Sequence, residues 1–342
     1  MRKILFTLSA CAALVACGGG GGADDGKVTE NNIQNDSLVG AAVALSASNY
    51  EPAAKEIVGS APGLQSTASV SRELLTASQA NPVPTAAMFL QTKLPEIARA
   101  LNRSALLTGV AIEDTVDCDQ GQIDVAGNDN NNNDELDAGD NAVLTIKNCQ
   151  LNGFKINGKM SFTVDSGAAY SNLTARDITI TSNVQNFRVE VSGIVSVTNG
   201  SYTMTISPLS DTNLRVVITA TRLTNQLSQA GTSKVFQYTN YTVNATTNPT
   251  TTTWSVTGKV SVPTLGANTA EIATLTPFSA LTNTSLVTAG QLMITLSNGG
   301  KMRVTAQPMN STSSGSNAKV ELDLNSDGVY EESKVLPWID IL

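Results

Sequence analysis

From about residue 116 onward, apolar residues recur at every second position. Met160/Phe162/Val164, Phe187/Val189/Val191, Tyr202/Met204/Ile206, Leu214/Val216/Ile218, Trp254/Val256, Val260/Val262, Leu292/Ile294/Leu296 and Met302/Val304 each alternate with polar residues. Successive side chains of a strand point to opposite faces, so this period specifies half-buried strands. The polar partners are mostly Thr, which suits the hydrated face of a sheet. Asn199-Gly200 and Asn298-Gly299-Gly300 fall between such runs and are predicted to turn hairpins. The predicted fold is mainly β with an N-terminal helical segment. Its body, 113–342, is a large antiparallel meander with one wet face. The pattern alone leaves a sandwich, a curved open sheet and a closed barrel undecided. A membrane barrel is disfavoured, because its outer band would be apolar with aromatic girdles, and here Thr and Ser dominate.

Residues 28–112 carry a different period. Leu38, Ala41, Ala42 and Leu45 keep helical spacing, as do Leu90, Leu94, Ile97 and Leu101. Pro95 is predicted to kink the second helix or to start a new one. Residues 59–83, rich in Ser, Ala, Gly and Pro, are predicted to form a loop. Such short helices cannot bury their apolar stripes alone, so they are expected to pack on the following sheet. Two similar phrases, Asn157-Gly158-Lys159-Met160-Ser161-Phe162 and Thr257-Gly258-Lys259-Val260-Ser261-Val262, hint at internal duplication. Hairpin chemistry alone could also produce them.

The chain of 342 residues contains no histidine. That removes the usual general base near neutral pH, the usual triad partner of Ser or Cys, and every His-containing metal site. Met1-Arg2-Lys3 is a basic start, and Ile4 to Val15 is an apolar run too short to span a membrane. Leu14-Val15-Ala16-Cys17 follows, and then Gly18 to Gly22. This N-terminus resembles the signal of bacterial lipoproteins. The resemblance implies that 1–16 is cleaved as a signal peptide and that Cys17 is lipidated. Residues 17–27 then form a Gly-rich tether. Gly18, standing where an Asp would favour retention in the inner membrane, implies the outer membrane. Whether the protein faces the periplasm or the exterior stays open. Acyl chains would hold it stably. Cleavage would remove Cys11 and lipid would take Cys17, which leaves Cys118 and Cys149 in an oxidising compartment, where a disulfide is expected. If Cys118 faces Cys149 across an antiparallel pair without bulges, Ile123 faces Leu144 and Val125 faces Ala142. Ile123, Val125, Leu144 and Ile146 then share the face opposite the cysteines.

The net charge is −8, which argues against nucleic acid as a partner. The charge is unevenly placed. Between Arg103 and Lys147 there are ten acids and no base, whereas residues 155–320 carry eleven basic and five acidic residues. Crowded carboxylates repel unless a cation or water screens them. Within the acidic stretch, 129–140 offers Asp129, Asn131, Asn133, Asp137 and Asp140 at loop positions 1, 3, 5, 9 and 12, with the Glu135 carbonyl at position 7. A second loop, 323–332, offers Asp323, Asn325 and Asp327 at positions 1, 3 and 5, Gly328 at position 6 and the Val329 carbonyl at position 7. Glu331 or Glu332 would close the shell. Both loops resemble the dockerin or EF-hand calcium loop, whose alternating oxygens turn hard ligands onto one Ca²⁺. The first departs at position 6, where Asp134 replaces Gly; the second at position 12, where Lys334 stands. Both have strand-like rather than helical flanks. The resemblance implies one or two Ca²⁺ ions, held with an affinity of about 10⁻⁴–10⁻³ M. The alternative for each loop is a hydrated Asn/Asp turn.

Other chemistry is missing. The sequence has no Gly-rich nucleotide loop and no metal-hydrolase helix motif. Ser316-Asn317-Ala318-Lys319 has the Ser-x-x-Lys spacing but lies at a loop-to-strand junction, not on a helix. Glu190, beside Arg188, reads as surface ion pairing, and Trp254 as core. The expected function is therefore non-enzymatic: a structural or adhesive β-domain of the cell envelope, stabilised by calcium. The alternative is a carrier or binding module holding an apolar or glycan ligand in a curved sheet. Expected partners are the membrane, through the lipid anchor, and an envelope protein, a glycan or a lipid.

Overall fold

Residues 46–49 close a tight turn ahead of the first helix. The Ser46 N–H donates to Asn49 Oδ1 (2.8 Å), and the Tyr50 N–H donates to the Ser46 carbonyl (3.1 Å). Helix α1, Tyr50–Ser60, starts from this turn and buries Ala53, Ala54, Ile57 and Val58. The computed structural model describes residues 41–60, 86–104, 112–131, 133, 135–151, 153–169, 177–210, 212–281, 287–297, 299–307 and 316–341. Cys17, the segments 1–16 and 17–27, Leu38, Asp134 and Asn298 lie outside them.

The helix expected at Leu38, Ala41, Ala42 and Leu45 does not form over its described part. Residues 41–46 have no regular structure. The Val43 N–H donates to the Leu265 carbonyl, and the Val43 carbonyl accepts from Asn268 Nδ2. Backbone groups used between segments are not free for helical bonds. Helix α2, Ala86–Ser104, runs through Pro95 as one element and buries Leu90, Leu94, Ile97 and Leu101.

Apart from loops and two 3-10 turns, Pro263–Leu265 and Trp338–Asp340, the rest of the described chain is one antiparallel sheet. Its strands are β1 (Ile112–Asp117), β2 (Gln120–Asn128), β3 (Leu136–Asp137), β4 (Asn141–Leu151), β5 (Phe154–Ala169), β6 (Ile178–Val191), β7 (Ile194–Ser210) and β8 (Asn213–Gln229). They continue as β9 (Thr232–Thr247), β10 (Thr251–Ser261), β11 (Ala270–Leu281), β12 (Val287–Leu296), β13 (Lys301–Gln307), β14 (Asn317–Asp323) and β15 (Glu332–Pro337). Each strand pairs with the next in sequence, except that β3 leaves the path and pairs with β5. The path begins at β1 and ends at β15 without closing, so the architecture is an open sheet rather than a barrel or a two-sheet sandwich.

Alternation puts one face of this sheet inside. The buried side chains fall into two cores. One joins α2 to β1 through β8; the other joins α1 to β9 through β15. Ile218 and Leu223 of β8 touch both. The opposite face carries cross-strand hydroxyl pairs, such as Thr179–Thr205 (3.1 Å) and Thr181–Thr203 (3.0 Å).

Asn199-Gly200 is not a hairpin turn. It lies inside β7. The Asn186 N–H of β6 donates to Asn199 Oδ1 (2.7 Å) at a β-bulge where Asn186 has φ 48°. The same arrangement recurs one strand pair earlier. The Asn148 N–H of β4 donates to Asn157 Oδ1 of β5 (2.8 Å), with Asn148 at φ 49°. Gly158 and Gly258, the glycines of the two similar phrases, have φ 130° and 138° and lie beside bulges at Asn186 and Asn240. The shared phrase therefore marks a shared mid-strand kink. A bulge inserts one residue and bends its strand, so this row of bulges curves the sheet. Gly299 and Gly300, by contrast, do turn between β12 and β13, where the Leu296 N–H donates to the Gly300 carbonyl (3.1 Å).

Cys118 and Cys149 form a disulfide, with Cα atoms 5.3 Å apart. The bulge-free register expected around it is wrong by two residues: Ile123 pairs with Ile146, and Val125 with Leu144. Cys118 lies in the turn and not opposite Cys149, because Gln120 already pairs with Gln150; between that pair and Gln122–Lys147 stands a one-residue bulge of β4 at Asn148. That bulge reverses the phase of β4, so Cys149 is buried on the same face as Leu144 and Ile146, not opposite them.

Candidate metal centre

The two acidic loops lie between strands, as their flanks suggested; both place Asn amide donors on a carboxylate, Asp137 in one and Asp327 in the other, and they differ at Asp323. In 129–140 the side chains of Asp129, Asn131 and Asn133 each close the turn that follows. The Asn131 N–H donates to Asp129 Oδ1 (3.2 Å), the Asn133 N–H to Asn131 Oδ1 (3.1 Å) and the Glu135 N–H to Asn133 Oδ1 (2.9 Å). The side-chain amides then turn inward. Asn131 Nδ2 donates to both oxygens of Asp137 (3.0 Å each), and Asn133 Nδ2 donates to Asp137 Oδ2 (2.6 Å). Asp140, 1% exposed, accepts the N–H of Asn130 (2.9 Å) and of Asp137 (2.8 Å). Burial pushes the Asp140 carboxyl up; those two backbone bonds oppose the shift, and the charges of Asp129 and Asp137 add to it. This loop is thus bonded largely to itself, with amide donors on Asp137.

The loop 323–331 leaves an oxygen spare. Asp323 is 1% exposed. Its Oδ2 accepts the Gly328 N–H (3.0 Å), and its Oδ1 is buried with no hydrogen-bond partner. Asn325 Oδ1 accepts the Asp327 N–H (3.0 Å), and Asp327 Oδ1 accepts the Val329 N–H (2.7 Å). Glu331 Oε2 accepts the Leu324 N–H (2.9 Å). Carboxylate oxygens of Asp323, Asp327 and Glu331 lie within 4.8 Å of one another. Gly328, at φ 89°, supplies the sharp turn that the spacing required. Glu332, the alternative to Glu331, instead opens β15 opposite Leu322. The oxygen-only donor set and the unbonded buried oxygen fit a hard divalent cation such as Ca²⁺.

The same loop folds back over the wet face of the sheet. On β14 the alternation fails, because Glu321 and Asp323 are buried although Leu322 fills the core between them. Arg303 and Lys319 both hold Glu321 (2.7 Å each), and the Tyr330 ring lies 4.1 Å from the Arg303 guanidinium. Burial works to raise the Glu321 carboxyl, but the bonds from Arg303 and Lys319 outweigh it and hold it below its ordinary value. Sequence reasoning missed this cluster. Its only signal was Arg303 and Glu321 at matching polar positions of adjacent strands.

Lys319 of the Ser-x-x-Lys phrase is committed to Glu321, Glu190 pairs with Arg188 (2.6 Å), and Trp254 is buried against Phe278. An open groove of about 380 Å³ lies on the wet side of β4–β7, lined by Ser161, Thr163, Thr181, Asn183 and Ser201 among others. No protein family, no curated protein and no solved structure matches the chain.

Proposed function

We propose that this chain is an exported envelope lipoprotein whose β-domain acts as a calcium-stabilised structural or adhesive scaffold, without catalysis. The observation that carries the calcium part is the buried, unbonded Oδ1 of Asp323, a carboxylate grouped with those of Asp327 and Glu331. A carboxylate taken out of water needs a compensating charge or hydrogen bonds. The ligands would be Asp323, Asn325, Asp327, Glu331 and the Val329 carbonyl. The Cys118–Cys149 disulfide suits an oxidising compartment. The signal-like N-terminus and Cys17 support outer-membrane anchoring. The absence of histidine supports a non-enzymatic role.

The carrier reading is less favoured. Along the described residues the apolar face is occupied by its own side chains and by α1 and α2, and the groove described above opens on the hydrated side. The test pairs melting curves in millimolar Ca²⁺ and in EGTA with the intact mass of protein purified from its native membrane. A calcium-dependent rise in Tm and an acylated mass beginning at Cys17 are expected. Identical melting curves would remove the calcium part. An unmodified mass would remove the lipoprotein part.

A further inference from the structure

We infer that the ion held by Asp323, Asp327 and Glu331 regulates the end of the sheet: bound, it pins β15 onto β14 and steadies the first turn of α1, and released, it frees both. This rests on the calcium reading above.

The strand in question has little else to hold its start. β15 is the last strand and pairs on one side only. Of its six residues only Leu336 is buried, and Val335 is 51% exposed. Apolar burial, the main source of strand attachment, is therefore almost confined to one side chain. At its far end the Trp338 N–H donates to the Ser316 carbonyl (2.8 Å), and Trp338 is buried. At its near end β15 follows directly from Glu331, whose N–H donates to the Leu322 carbonyl (2.9 Å) and whose carboxylate belongs to the acidic group.

Three crowded carboxylates repel, and a divalent cation among them turns that repulsion into cross-linking. Closing the loop also removes the entropy that β15 would otherwise lose on pairing. Calcium concentration would then set whether the sheet ends at β15 or at β14.

One contact carries the effect further. Lys334 of β15 forms an ion pair with Glu51 in the first turn of α1. The later part of α1 has its own anchors, since Glu56 pairs with Lys234 (2.7 Å) and accepts the Thr264 N–H (2.8 Å). Calcium should therefore protect the start of α1 and leave its end unchanged.

The experiment is hydrogen exchange on the full-length protein with Ca²⁺ or EGTA, beside calorimetric titration with CaCl₂ alone. With Ca²⁺ at ten times its measured Kd, exchange in 332–336 should slow about tenfold, and at the amides of Tyr50 and Ala53 about two- to fivefold. Residues 56–60 should not change. Asp327→Asn, at an exposed position, should abolish the effect. Lys334→Ala should keep the slowing in 332–336 and lose it in α1. Measurable binding with protection confined to 323–331 would overturn the inference and leave the calcium reading standing. No binding and no protection would overturn both.

Discussion

Asp323 accepts the Gly328 N–H through one carboxylate oxygen and keeps the other buried and unbonded. The first bond shapes the turn, and the second oxygen is the electrostatic cost of having shaped it. Neutralising Asp323 should separate the two. In EGTA, Asp323→Asn should melt at or above the wild type, because it removes a buried charge from beside Asp327 and Glu331. In Ca²⁺ the order should reverse. Saturation at about a hundred times Kd is worth roughly 2.7 kcal/mol to the wild type, and the variant should lose most of it. Paired thermal melts check this; a variant that keeps the full calcium shift would rule out Asp323 as a ligand.

Two buried carboxylates should respond to acid with opposite signs. Glu321 is held below its ordinary value of 4.5, so its contribution is fully present above that value and disappears as pH falls through the lower folded value. Asp140 is raised above its ordinary 3.8, so its contribution is fully present below 3.8 and is lost as pH rises through the raised folded value. Glu321→Gln should cost about 1–3 kcal/mol near neutral pH, because Arg303 and Lys319 lose their charged acceptor. It should also flatten the loss of stability on acidification. Asp140→Asn should steepen that loss. Urea titrations of the three proteins between pH 3 and 7 measure both slopes.

The strands were legible because alternation reports burial directly, and Met160, Tyr202, Trp254 and Met302 all lie on the buried face. The disulfide followed from cysteine counting. What alternation could not convey was where it breaks. An Asn-Gly pair supplies positive φ and a short side-chain acceptor, and both a hairpin and a mid-strand bulge need these. Asn199-Gly200 thus carried the same local signal as a turn while sitting inside β7. Asn148, with no Gly after it, gave no local sign of the bulge that reverses the phase of β4 before Cys149. The turn at 323–331 was legible in its Asp/Asn spacing and in Gly328. Its burial of Glu321 and Asp323 was not, because that depends on the loop lying back over β13 and β14. The extended course of 41–46 is fixed by Leu265 and Asn268, more than two hundred residues away in sequence.

The kinked strands give a graded test of the bulge row. A Cβ on Gly258 would stand 2.6 Å from the Tyr241 Cα and 2.7 Å from the Asn240 carbonyl oxygen, at φ 138°. A Cβ on Gly231, in the β8–β9 turn at φ 80°, would meet nothing within 4 Å. Gly231→Ala should cost about 1 kcal/mol for backbone strain alone. Gly258→Ala should cost about 3 kcal/mol or more, because strain and backbone collision combine. Chemical denaturation of the two variants checks the order. Equal losses would mean that the bulge beside Gly258 does not constrain the strand.

Reducing the disulfide separates the two ends of the sheet. Cys118 lies in the turn between β1 and β2, and Cys149 lies on β4 beyond the bulge, so the bond fixes the β1 edge. Replacing both cysteines by Ser should cost about 3–4 kcal/mol, the entropy of a loop of this length in the unfolded chain. β1 and the start of β2 should lose protection first, because each depends on that closure. The loop 323–331 lies at the opposite end of the strand order, beyond β14. The double variant should therefore keep an unchanged calcium affinity and an unchanged calcium-induced slowing of exchange in 332–336. Calorimetric titration and hydrogen exchange on the same sample measure both. A calcium affinity that falls with the disulfide would show that the sheet transmits strain from one edge to the other.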